Sequence, residues 1–138
     1  MAQPHPQHLP SPGAELVVKA SPRSVPGTVI RLTTLVEARG MKVFTVIDHA
    51  AEAERAGLAL RATQVVIFGS PQAGTPVMEA VPLAALDLPL KVLVWDDSGQ
   101  TRIAYTAPRA LMARHDLPEE LAQRLAGIDA LTDALVDV

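Results

Sequence analysis

The chain has 138 residues, 49% hydrophobic and 20% charged, the composition of one globular domain rather than of a disordered segment. A net charge of -3 excludes the basic excess on which phosphate-backbone binders depend, so no nucleic acid is expected. Zero cysteines exclude disulfides, cysteine-ligated zinc, iron–sulfur clusters and thiol catalysis.

Residues 1–14 hold four prolines and no charged side chain. They bring too little apolar surface to offset their ordering entropy, so a disordered Pro-rich tail is predicted before a single domain over 15–138. The same stretch has neither a basic n-region nor an apolar h-region, and no secretory signal is predicted. The longest apolar run is interrupted by Glu79, Pro82, Asp87 and Pro89, well short of the ~20 residues of a membrane span. No membrane association is expected, and a cytoplasmic protein is.

Glu15–Ala20 reads as a first strand, broken by Ser21-Pro22-Arg23. Ser24 is a suitable N-cap with Pro26 in the first turn, and Val25, Val29, Leu32 and Leu35 or Val36 recur at helical spacing. This predicts an amphipathic helix over 24–39, with Gly40 as the left-handed residue that ends it. Lys42–Ile47 predicts a second strand, with Val43 and Ile47 on one face and Phe44 and Val46 on the other. A short Ala/Glu segment then leads to Gly57, and Gln64–Phe68 predicts a third strand stopped by Gly69-Ser70-Pro71. Thr75-Pro76 reads as the N-cap and first residue of a short helix to Ala80, followed by another turn over 83–88. Leu90–Trp95 and Thr101–Tyr105, joined through Asp97-Ser98-Gly99, predict a β-hairpin. A short helix over 108–115 and a last one from Pro118, striped by Leu121, Leu125, Ile128, Leu131 and Leu135, complete the chain. Two long helices and five short strands predict an α+β fold, a mainly antiparallel sheet with helices packed on one face.

The blocks IDHAAEAERAGL (Ile47–Leu58) and VVIFGSPQAGTPVMEAVPLAALDLPLKVLVW (Val65–Trp95), with Tyr105 ahead of Ala107-Pro108, resemble the domain-of-unknown-function family numbered 302. The resemblance covers roughly residues 15–136. It implies a curved antiparallel sheet of the TATA-binding-protein-like type with helices on one face, often a homodimer, and it implies no activity. Val46 departs from the family pattern, where a polar or basic residue is expected.

Several residues are candidates for chemistry. Asp48, His49 and Glu52 lie at the end of the second strand, where Glu52 falls one helical turn beyond His49. Such a group suits a divalent metal on His49, or His49 as a general base oriented by Asp48 with Tyr105 as partner. The simpler reading is that Asp48 caps a helix. Gly69–Thr75 matches the two-glycine spacing of a phosphate loop, but Thr75 stands where its lysine belongs, which excludes a nucleoside-triphosphate site. Backbone N–H groups near Gly69, Gly74 and Thr75 still suit an anion. Met41, Met78 and Met112 raise a haem reading in which His49 and a methionine ligate iron. The leading expectation is a small-molecule or anion sensor whose pocket gathers Asp48, His49, Glu52, Gly69, Gly74, Thr75 and Tyr105. The alternatives are a haem or metal carrier and an enzyme using His49. The strand pattern also leaves one sheet face apolar and uncovered, and a homodimer through Phe44, Val46 and Trp95 is expected.

Overall fold

The computed structural model describes residues 15–138, so the predicted tail lies outside the described residues. Five strands, β1 (Leu16–Ala20), β2 (Lys42–Asp48), β3 (Thr63–Gly69), β4 (Leu90–Asp97) and β5 (Gln100–Thr106), form one sheet in the order β1-β5-β4-β3-β2. Every neighbouring pair is antiparallel. The strand edges β1 and β2 are consecutive in sequence, and helix α1 (Val25–Ala38) connects them beneath the sheet. Its 14 residues span about 21 Å, close to the roughly 19 Å across five strands. Ser24 caps it through the Gly27 N–H, and Gly40 beyond its end has a φ of +75°.

The β4–β5 hairpin turns on Ser98 and Gly99, both at positive φ, with Asp97 paired to Gln100. Two left-handed residues in a two-residue loop match the right-handed twist of the strands. Val92 and Val94 from β4, Val66 and Phe68 from β3, and Ile103 and Tyr105 from β5 point to the α1 side. There they meet Val25, Val29, Leu32 and Val36 of α1 and Ile128, Leu131 and Leu135 of α6 (Gly127–Leu135). Each large side chain buried in this core contributes roughly 1.5–3 kcal/mol. Arg23 and Arg31 donate to the Leu135 and Ala134 carbonyls at 2.8 and 3.0 Å, satisfying the last turn of α6 and tying it to α1.

A second, smaller cluster lies past one end of the sheet. It joins Val77 of α3 (Pro71–Ala80), Ala84 of the 3₁₀ stretch Pro82–Asp87, Leu111 of α4 (Pro108–His115), Leu117 and Leu125. Asp87 ties this end together, accepting from Arg114 at 3.0 Å and bonding His115 at 2.6 Å. Burial pushes the Asp87 carboxyl up, but the His115 and Arg114 bonds outweigh it and hold it below the usual carboxylate range.

Three expectations are corrected. The helix expected from Pro76 begins at Pro71, because Ser70-Pro71 is itself an N-cap and first-residue pair and the Ser70 hydroxyl accepts the Ala73 N–H. The last helix is not continuous: α5 (Glu119–Ala122) passes through the 3₁₀ stretch Gln123–Leu125 before α6 starts at Gly127. In β2 the register shifts between Val43 and Thr45. That bulge at Phe44 sets Val46 opposite Val66, on the helix side with Val43, and turns Ile47 outward opposite Val65.

Candidate functional site

Asp48 ends β2 and caps α2 (His49–Arg55), its carboxylate accepting the Ala51 N–H at 2.9 Å. The simpler reading of this residue describes its geometry. His49 is exposed and has no polar partner among the described residues, while Glu52 pairs with Arg55. Asp48 also lines an open depression of about 410 Å³ with Glu54, Gln64 and Pro26, but His49 and Glu52 are not in its walls. No group of three His, Asp or Glu side chains that could hold a metal ion occurs among the described residues.

The residues expected to converge are kept apart by strand register. Asp48 pairs with Gln64 at one end of β2–β3, whereas Lys42 pairs with Gly69 at the other. Six residues of strand separate the two ends by about 20 Å. Met41 and Met78 belong with Gly69, so His49 and these methionines do not share a site. Tyr105 lies on β5 beneath α6, where its hydroxyl donates to Asp129 at 2.5 Å and receives Thr132 at 3.2 Å. Burial, then the Asp129 bond, raise its pKa. Lys19 reaches the same cluster, donating to Thr132 at 2.6 Å and Asp133 at 2.8 Å. Burial lowers the Lys19 pKa, but the bonds to Asp133 and Tyr105 outweigh it and leave it raised. This network fastens α6 to β1 and β5, and none of its residues lines the depression beside Asp48 or the cavity beside Gly69.

Gly69, Gly74 and Thr75 do share a cavity. It has a volume of about 400 Å³ and lies where β2 and β3 meet the first turns of α3. The size suits a small organic ligand. Met41, Phe44, Met78, Leu88, Leu90 and Leu125 supply most of the apolar wall. The β2 bulge places the Phe44 ring beside Gly69, where a Cβ would stand 3.9 Å from Phe44 and 3.5 Å from Pro89. Gly74 keeps the opposite wall low, since its Cβ would stand 3.8 Å from the end of Met78.

Polar groups in this cavity are few. The Ser70 hydroxyl is engaged by Ala73 and Gln72. Arg124 is exposed at the rim and has no acidic partner among the described residues. The Lys42 ammonium sits 5.0 Å from the centre of the ring of Phe44, a wall residue of the cavity, which brings a second cation near that wall. The N-terminal turns of α3, with their positive dipole end, form part of the wall. An apolar chamber edged by cations can hold an apolar body with an anionic head. Sequence reasoning missed Leu88 and Arg124, and it assigned Met41 to a haem reading and Phe44 to a dimer face rather than to this cavity. The cavity unites four separate segments, and only the Gly69–Thr75 block carried a local signal.

The model of the domain of unknown function DUF302 matches residues 17–135. A fluoride-specific ion channel FluC 1 of Brucella suis biovar 1 is 42% identical over 103 residues, covering 74% of this chain and 41% of that protein. FluC 1 of Brucella abortus biovar 1 is also 42% identical over 103 residues, covering 74% of this chain and 38% of that one. The chain thus spans about two fifths of these curated relatives. An uncharacterized conserved DUF302 protein from Bacillus stearothermophilus shares the fold, with a TM-score of 0.75 at 20% identity over 89% of this chain and 96% of that one. No helix among the described residues is long and apolar enough to cross a membrane.

Proposed function

The chain belongs to the DUF302 family, and from that premise we propose that it is a ligand-binding sensor module for a small amphipathic anion. The observation that carries this reading is the 400 Å³ apolar cavity with the unpaired Arg124 on its rim. The apolar body of the ligand fills the space between Phe44, Met78 and Leu88, and its anionic group meets Arg124. Lys42 and the first turn of α3 add attraction of the same sign. Absence of cysteine is compatible with a cytoplasmic setting. An enzyme built on His49 gains no support, because His49 has no hydrogen-bond or ion-pair partner among the described residues.

The probe for this reading is 8-anilinonaphthalene-1-sulfonate, an apolar fluorophore carrying one sulfonate. The folded chain is expected to bind one equivalent. Gly74→Leu, which fills the chamber from a helix position, should abolish binding while leaving far-UV circular dichroism unchanged. Arg124→Ala should weaken it about tenfold, the cost of losing one charge-assisted bond. Unchanged affinity in both variants would overturn the reading.

The relatives favour a second reading that concerns context. A segment 42% identical to this chain makes up two fifths of proteins named as fluoride channels. We propose that this module works beside an ion channel and tunes it from outside the pore. Channel-containing liposomes loaded with fluoride should release it at a different rate when the chain is added. Identical release, together with no co-flotation, would refute this.

A further inference from the structure

On the amphipathic-anion reading of the cavity beside Gly69, on which this inference rests, we propose that the ligand class is the free medium-chain fatty acid, a linear carboxylate of about ten carbons. The wall decides the body of the ligand. Met41, Met78, Leu88, Leu90 and Leu125 are flexible and apolar, and Phe44 is the one aromatic among the described residues that line the cavity. The Lys42 ammonium lies over that ring at 5.0 Å. A planar ring system therefore finds little to stack on, whereas thioethers and leucines adapt to a bending alkyl chain. The same wall disfavours sugars and nucleosides, whose hydroxyls need partners. Ser70 is engaged by Ala73 and Gln72, and Thr75 and Arg124 are the remaining polar side chains.

The rim decides the head. Arg124 is the one charged residue among the described residues that line the cavity, so no Asp or Glu stands there to repel an anion. A guanidinium offers paired N–H donors to two coplanar oxygens, the geometry of a carboxylate. Volume sets the chain length. A methylene takes about the 30 Å³ of a water molecule in the liquid, so a chamber of about 400 Å³ filled throughout holds roughly 13 such groups. Because the chamber opens at its rim, the chain fills about three quarters of it, which is about ten carbons with the carboxylate at Arg124.

Calorimetric titration of the full chain with saturated fatty acids from hexanoate to tetradecanoate, each below its micelle concentration, tests this. Affinity should rise roughly threefold to fourfold per methylene up to about ten to twelve carbons and then level off. Met78→Ala, which shortens a wall side chain, should move that break about two to three carbons longer. Arg124→Ala should weaken every acid about tenfold and leave the break in place, and decylamine should bind at least about tenfold more weakly than decanoate. An affinity that climbs without a break overturns the fatty-acid assignment, as does a break that ignores Met78→Ala in a folded protein. Decylamine binding as well as decanoate also overturns it. If the sulfonate fluorophore binds but no fatty acid does, this inference alone fails and the amphipathic-anion reading stands. If neither binds, both fall. The series on the unmodified chain decides the question even if Met78→Ala does not fold.

Discussion

Truncating Leu131 to alanine tests how the C-terminal segment is divided between the two apolar clusters. Leu131 is fully buried and packs with Ile128, Leu135 and the α1 stripe in the main core. Three buried carbon groups at about 0.8 kcal/mol each are lost, and the unfilled space adds to that at about 24 cal/mol per Å³. The total is about 3–4 kcal/mol. For residues 15–138, an unfolding entropy of about 2.1 cal/mol/K per residue converts this to a fall in Tm of about 12–15 °C. Leu121 lies on the same stripe in sequence but is only partly buried, at the edge of the second cluster. Leu121→Ala should cost about 1 kcal/mol. Thermal unfolding by circular dichroism at 222 nm measures both, at one fixed protein concentration so that association does not shift Tm. Equal losses, or a loss below 1 kcal/mol for Leu131→Ala, would refute the division at Gly127.

Two further predictions follow from the polar contacts. Asp87 has a folded pKa below its unfolded one, so its stabilisation is present above about pH 4 and disappears as pH falls through the lower folded value. Asp87→Asn should flatten the acid limb of stability against pH, and an unchanged acid limb would disprove the role of the His115 and Arg114 bonds. At α2, Asp48→Ala should cost about 1 kcal/mol, whereas Asp48→Asn, an equally good cap, should cost little. If both variants instead lose binding of a divalent metal with stability intact, the cap is not the whole role of Asp48.

Local physics was enough to specify much of this fold. Ser24, the 3.6-residue apolar spacing and Gly40 define α1 from within a single turn of chain at each end. Gly99 takes the left-handed backbone its turn needs without a Cβ penalty, and the alternation in β4 already separates Leu93 and Trp95 from Val92 and Val94. The antiparallel sheet with one helical face follows from these elements and their lengths. Other features depend on partners distant in sequence. Two Ser/Thr-Pro pairs compete to start α3, and the one that follows β3 directly begins the helix. A continuous leucine stripe breaks at Gly127 because its halves pack against different clusters. The bulge at Phe44 is visible only once β2 is laid against β3, yet it exchanges the faces of Val46 and Ile47 and delivers Phe44 to the cavity. The candidate site moved for the same reason. A residue's type is written in the chain, but its neighbours across a sheet are set by register, and register is a property of the paired strands.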